Sequence, residues 1–500
     1  MKTNNALNTD IIGKSYGGWD RFCREFIQWG ILGLIVFSPL PAASVNEWSI
    51  LVIQLTVVLM TVLYISMRKK PEINPALARM LHKMRWMVIG FFAYLIFQII
   101  PMPSAFVRFI SPKTAAYHSQ FALNGARKTT MTLSLVPGHT LERGLELLGY
   151  VLLAFLVLKT VTSRKQIMRL FAVLFGMGLF ESVFGLIGLA SARPSILFYP
   201  KVYALDSVSG TFVNRNHFAG YMEMIIPLAV GFIIARSGWI SKAGIRWRER
   251  LLMLSEKRMA SGLLLMMGVV VMGLGLILSR SRSGVFLLAF SIILFFGLAV
   301  LKSEGERYSR PVIRFVFRGL FILAAGLVLM VGIGATIERF SMDRMLREAR
   351  PVFWANTVKI IGEYPLVGTG LGTFGSVYPE GESAGIPMSL GHAHNDYLEY
   401  TAELGFVGIV MLLGAILYMM TVSFRVWKSR RLTVAVGLGL GGLVAVLCIL
   451  IHSLTDFNLH IPANMLLFAL TLSLTAVAAF HHKRMDSESG GSSEESDRRR

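Results

Sequence analysis

The chain has 500 residues, 54% of them hydrophobic and 16% charged, with a mean hydropathy of +0.59. Soluble domains carry about 25% charged residues, so the composition excludes an ordinary soluble protein and indicates one embedded in a bilayer. A formal charge of +21 would suit nucleic acid, but the basic residues fall between apolar runs, so no nucleic-acid partner is expected.

Residues 1–25 are polar and show no cleavable signal of the usual form. A hydrocarbon core of roughly 30 Å needs about 20 apolar residues per helix. Spans are therefore predicted at about 26–44, 48–66, 86–103, 141–160, 168–190, 217–236, 261–279, 284–301, 315–337, 404–424, 434–452 and 462–480. Twelve helices put both termini on one side. Cytoplasmic loops carry the excess of Lys and Arg. With both termini inside, the segments 1–25, 67–85, 159–169, 236–258, 302–318, 425–431 and 481–500 hold 35 of the 50 basic residues. Every inner loop is basic, and omitting one helix would break the alternation downstream.

Three outer segments are long, 104–140, 191–216 and 338–403. Connections as long as the last are functional or disordered, and within it Arg350–Tyr364 has the spacing of an amphipathic helix. Asp486–Arg500 (DSESGGSSEESDRRR) is low-complexity and reads as disordered. Cys23 and Cys448 make no disulfide framework. The predicted fold class is an all-α integral membrane protein of about twelve transmembrane helices, with a large outer loop containing short amphipathic helices. In chain order it has a cytoplasmic N-terminus (1–25), helices one to nine (26–337), the large loop (338–403), helices ten to twelve (404–480) and a disordered cytoplasmic tail (481–500).

The candidate chemistry is concentrated in few residues. Arg280 and Arg282 share the turn Leu278–Gly284 (LSRSRSG) between two spans, Arg350 opens RPVFW, and Arg215 and Asn216 lie in GTFVNRNH. Each arginine alone could anchor headgroups by snorkelling, yet outer arginines are disfavoured. Guanidinium forks match phosphate oxygens two at a time, so a ring of them suits a lipid-linked diphosphate. His392-Ala393-His394-Asn395-Asp396 is a weak set of metal ligands, and neither a metal nor another cofactor is expected.

The stretch 394–408 (HNDYLEYTAELGFVG) joins a titratable cluster to an apolar run. Ionisable groups at a membrane edge are functional candidates by default. Asp396 and Glu399 fit an acidic, capping-box-like helix start, and Gly405 and Gly408 would let a neighbouring helix approach. The outward N-terminus of that helix suits an anion. The imidazole of His394, largely neutral near pH 7, can accept a proton from a hydroxyl; a hydrogen-bonded structural histidine is the plain alternative.

This ordered set resembles the O-antigen ligase/polymerase superfamily of bacterial polysaccharide glycosyltransferases. The ligase signature, His-Asn, nine residues, then Gly-x-x-Gly, is met by His394, Asn395, Gly405 and Gly408. The Ser-Arg-x-Gly turn is similar to Ser281–Gly284. Arg-x-x-x-Trp leading to Pro-Leu-x-Gly-x-Gly-x-x-x-Phe resembles Arg350–Trp354 and Pro365–Phe374. Further matches are Gly210–Phe218 and His452–Pro462. At Ile409-Val410 the chain departs from the Thr and Gly that some ligases carry, which leaves the polymerase branch open.

The resemblance implies a GT-C-like, inverting, metal-independent transfer in the bacterial inner membrane, with a periplasmic active site and both termini cytoplasmic. It implies an undecaprenyl-diphosphate-linked glycan donor. The acceptor would be lipid A-core (ligase) or another lipid-linked glycan in O-antigen or exopolysaccharide synthesis (polymerase). His394 would be the base. Arg282 and Arg350, with Arg280 assisting, would hold the diphosphate. Asn395 would orient His394 or a sugar, and Arg215 and Asn216 would contact substrate. Two other readings remain open. One is a transporter of lipid-linked glycan, suggested by Glu181 and Glu223 within apolar spans and disfavoured by the absence of internal repeats. The other is a peptidoglycan-type transferase using Asp343 or Asp206.

Overall fold

The computed structural model describes residues 17–120, 129–191, 194–197, 199–236, 257–303, 344–378 and 391–481. The expected span 315–337, Asp343, the first 16 residues and the tail Asp486–Arg500 lie outside them. The described chain is all-α apart from two short antiparallel pairs, Met102–Pro103 with Thr130–Met131 and Ser195–Ile196 with Tyr199–Pro200. Eight described helices are long and apolar enough to cross a membrane. They are Glu47–Ser66, Pro75–Ile99, Arg164–Ala190, Arg215–Arg236, Ser261–Leu278, Asp396–Ser429, Val434–His452 and Pro462–Phe480.

Helix Arg215–Arg236 forms the centre of the bundle and is buried over the whole of its apolar stretch. It packs most closely on helix Thr433–His452, whose sequence explains why. A Cβ at Gly437 would lie 2.5 Å from the Gly231 carbonyl oxygen, and one at Gly441 would lie 2.5 Å from that of Pro227. Only glycine lets the two backbones touch there. Inside a bilayer, where apolar burial does not drive helices together, such close packing is a main source of association.

The first helix runs Gly18–Phe37, eight residues earlier than the expected start at 26. Pro39 and Pro41 end it, because proline lacks the amide hydrogen that a helix interior requires. The amphipathic spacing at Arg350–Tyr364 corresponds to helix Arg344–Glu363.

Helix Asp396–Ser429 is broken at Gly405, where φ is 62° and ψ −179°. A break at membrane depth frees polar groups that lipid cannot satisfy, so other protein must. Here the loop 365–370 does so. Thr369 and Gly370 donate their amides to the carbonyls of Ala402 and Glu403, and the amides of Phe406 and Val407 donate to Pro365 and Leu366. Tyr94 donates its hydroxyl to the Leu404 carbonyl, and Glu403 Oε1 accepts from the Phe374 amide at 3.0 Å. The expectation that Gly405 accommodates a neighbouring helix is thus corrected. It accommodates the backbone of Leu366–Gly368, whose Leu366 oxygen would lie 2.3 Å from a Cβ. Gly408 does face a helix, through Tyr94 of Pro75–Ile99.

The two acids within spans are committed to neighbours. Glu181 accepts from the Thr211 amide and hydroxyl, each at 2.8 Å. Glu223 pairs with His452 at 3.0 Å, both buried. Neither carboxylate is spare to line a transport path.

Candidate functional site

The site is built around Asp456, which the sequence reading did not select. It lies in the corner between helices Thr433–His452 and Pro462–Phe480, and its side chain is 1% exposed. Oδ1 accepts from the Phe457 amide at 3.0 Å and faces His394 Nδ1 at 3.2 Å. Oδ2 accepts from Asn216 Nδ2 at 2.9 Å and faces the Arg350 guanidinium at 3.8 Å. His217 Nε2 stands 3.8 Å from Oδ1. Four residues from three distant stretches of chain therefore meet one carboxylate. Burial works against its charge, but hydrogen bonds and charge from His217 and His394 prevail and hold its pKa well below the usual carboxylate value.

His394 sits in a left-handed conformation (φ 51°) just before helix Asp396–Ser429. Its ring lies edge-on to Phe457, centroids 4.8 Å apart, and 6.5 Å from the ring of Phe353. With Nδ1 donating to Asp456, the ring carries its proton on Nδ1 and offers the lone pair of Nε2. The side chain is 30% exposed. Among the described residues none hydrogen-bonds Nε2, and that nitrogen is not among the buried unpaired atoms. The basic nitrogen therefore faces the solvent side.

Asn395 is the cap of that helix: Oδ1 accepts from the Leu398 amide at 3.1 Å, and Nδ2 donates to the Leu454 carbonyl at 2.9 Å. This corrects the expected capping box: the cap lies one residue earlier, and Leu398, three residues on, has no side chain to close a box. Asp396 and Glu399, both buried, turn instead to two further histidines. His460 Nδ1 lies 2.7 Å from Asp396 Oδ1, and its Nε2 lies 3.3 Å from Glu399 Oε1. His392 Nδ1 lies 2.8 Å from that same Glu399 oxygen. Burial opposes the charged form of His460, but Glu399 and Asp396 outweigh it and raise its pKa to about 9. The candidate ligand atoms of His392, Glu399 and His460 all lie within 4.8 Å of one another, a possible metal set among the described residues. It shares only His392 with the loop cluster considered from sequence.

The remaining expected residues divide. Arg282 begins helix Arg282–Ser303, and the adjacent Ser283 hydroxyl lies 3.0 Å from that of Thr455, next to Asp456. The arginine turn is thus attached to the Asp456 corner. Arg280 (φ 59°) instead pairs with Asp206 at 2.7 Å, both exposed. Arg215 opens helix Arg215–Arg236 one residue before Asn216. Together with burial, the larger cause, its charge lowers the pKa of Lys201. So His394, Arg350 and Asn216 share the Asp456 carboxylate, Asn395 and the Arg282 turn adjoin it, Arg280 pairs with Asp206, and Arg215 precedes Asn216 at the helix start.

Asp456, His217 and His460 were the residues that sequence reasoning missed, and His392 was weighed there only as a weak metal ligand. The stretch His452–Pro462 (HSLTDFNLHIP) carried the signal, a buried-type acid and two imidazoles in a short interhelical corner.

No curated protein matches the chain. Residues 267–413 match the family model described as O-antigen ligase, and this segment contains Arg282, Arg350 and His394. Over that segment the chain is similar to the O-antigen ligase family, in agreement with the resemblance to the O-antigen ligase/polymerase superfamily read from its motifs.

Proposed function

We propose that the protein transfers a glycan from an undecaprenyl-diphosphate carrier to an acceptor hydroxyl, in the manner of an O-antigen ligase with lipid A-core as acceptor. The observation that carries this reading is the His394–Asp456 pair, an imidazole held by a buried carboxylate with its basic nitrogen open. His394 Nε2 takes the proton of the acceptor hydroxyl as the oxygen attacks the anomeric carbon. The carbon–oxygen bond to the diphosphate breaks on the opposite face, so configuration inverts, and the diphosphate leaves with its electron pair. Asp456 fixes the tautomer and stabilises the imidazolium that forms. Arg350, across the same carboxylate, and Arg282, on the adjoining turn, hold the diphosphate and meet its growing charge without a metal. Asn216 braces Asp456, Asn395 holds the turn under His394, and Arg215 and Arg280 add positive charge at the rim.

In this reading twelve helices cross the bacterial inner membrane, both termini are cytoplasmic, and the site faces the periplasm. Extension of lipid-linked repeats by a polymerase uses the same residues with a different acceptor. The test is transfer by purified protein given an undecaprenyl-diphosphate oligosaccharide, with and without lipid A-core. One block added to lipid A-core supports the ligase, and a ladder formed without it supports the polymerase. Full transfer by His394→Ala would remove the assigned base.

A further inference from the structure

A second imidazole stands beside His394 in nearly the same arrangement. His392 presents Nδ1 to the buried carboxylate of Glu399 at 2.8 Å, as His394 presents Nδ1 to Asp456 at 3.2 Å. The two side chains are 29% and 30% exposed, and their carboxylates 2% and 1%. Both rings contact Phe457. His392 lies flat on it, centroids 4.1 Å apart and planes at 13°, whereas His394 meets it edge-on at 4.8 Å. Glu399 is fixed in turn, its Oε2 accepting the Ala393 amide at 2.8 Å. Among the described residues none hydrogen-bonds His392 Nε2, and it too is absent from the buried unpaired nitrogens.

This histidine is oriented by a buried acid, braced on the same Phe457 ring that His394 touches, and keeps one nitrogen without a partner among the described residues. Such a nitrogen donates to or accepts from a hydroxyl equally well, according to its tautomer, and polyhydroxylated ligands are bound by polar groups of this kind fixed in advance.

We propose that His392, oriented by Glu399, contacts substrate: its Nε2 hydrogen-bonds a hydroxyl of the glycan held beside His394. The proposal rests on the glycosyl-transfer reading for its ligand, and donor and acceptor glycans supply the same hydroxyl chemistry. His392 is a binding residue rather than a second base, because the reaction releases one proton and His394 already receives it.

The experiment uses the full-length protein in vesicles, with wild type compared to His392→Phe, which keeps the ring on Phe457 and removes the nitrogen. Undecaprenyl-diphosphate oligosaccharide and lipid A-core are each varied in turn. Losing one hydrogen bond to a hydroxyl corresponds to roughly tenfold in binding. The KM for one of the two glycans is expected to rise about that much, with kcat within about threefold; the melt falls by a few degrees, because Glu399 loses its His392 partner and keeps His460. The substrate affected identifies the source.

In parallel, diethylpyrocarbonate labelling of His392 in wild type is mapped by mass spectrometry with three additions: glycan-bearing carrier, bare undecaprenyl diphosphate and lipid A-core. Protection by a glycan-bearing lipid but not by the bare carrier is expected. If protection appears while no transfer occurs, the transfer reading fails and the contact stands. Unchanged KM values with no protection overturn the proposal, as does loss of kcat together with melting temperature. Wild-type activity abolished by a chelator and restored by zinc would also overturn it, in favour of a metal on His392, Glu399 and His460.

Discussion

Asp456→Asn changes charge and hydrogen-bonding sense while leaving shape almost intact. In the native site both carboxylate oxygens face donors only: the Phe457 amide and His394 on Oδ1, Asn216 and Arg350 on Oδ2. An asparagine amide must place its NH2 group against one of these pairs. Turned toward His394, it forces the imidazole proton onto Nε2 and removes the base. Turned toward Asn216, it loses that hydrogen bond, faces the Arg350 cation, and leaves the imidazolium without a counter-charge. Changing the acid behind a catalytic histidine in this way costs on the order of 10²–10⁴ in rate in enzymes that use such a pair, and kcat should fall by about 10³. An unsatisfied buried donor costs about 1–3 kcal/mol, so the melting temperature should also drop by several degrees.

The acid side of the pH profile checks the electrostatics independently. The folded carboxyl lies well below its ordinary value of 3.8, so its stabilisation is present above that pH and lost as pH falls toward the folded value. The melting gap between wild type and Asp456→Asn should therefore close below about pH 4. Transfer is assayed in vesicles beside the melt. An Asp456→Asn protein with kcat within threefold of wild type would refute the orienting role.

Three further outcomes follow from separate parts of the structure. Gly405→Ala meets the Leu366 oxygen at 2.3 Å from its Cβ, at a φ of 62°. It should destabilise by about 2–4 kcal/mol, read as lost thermal stability and low membrane yield; a normal melt would show that the break tolerates a side chain. His460 has a folded pKa raised to about 9, so its stabilisation is full below its ordinary value of 6.5 and lost as pH rises through about 9. The melting difference between wild type and His460→Gln should shrink from pH 6 to pH 10, and a constant difference would contradict the ion-pair account. Arg350→Lys keeps the charge but not the planar fork; transfer should fall at least tenfold at unchanged protein level, whereas full activity would dismiss a paired grip on diphosphate.

The eight spanning helices among the described residues were legible because bilayer thickness and apolar run length are tied by simple geometry. The broken helix was legible only in part. Its apolar portion was placed from 404, next to the actual break at Gly405, but the partner was misjudged. A glycine pair in a span has the same spacing whether a helix or a loop lies against it. What decided the matter was Pro365–Gly370, which supplies donors and acceptors to both sides of the break. His394 and Arg350 were singled out because an ionisable group at a membrane edge is costly unless it serves something, and Asn216 because it lies in the GTFVNRNH stretch. Asp456 was passed over because an acid in a short corner looks like ordinary solvated polarity. Its burial arises from tertiary packing around it, and no local pattern records that.

The location of that acid explains why the site residues lie so far apart in sequence. Asp456 sits in a nine-residue corner between helices Thr433–His452 and Pro462–Phe480, and the first of these is locked onto helix Arg215–Arg236 by backbone contacts at Gly437 and Gly441. That contact fixes Asn216 relative to Asp456, and Ser283 fixes the Arg282 turn to Thr455. His394 comes just before helix Asp396–Ser429, which is pinned at its Gly405 break by loop 365–370, just beyond helix Arg344–Glu363 that carries Arg350. Two separately braced parts of the chain thus bring their residues to one carboxylate. On this view a substitution that loosens the Gly437 contact, far from any substrate, should separate Asn216 from Asp456 and lower kcat before it lowers stability.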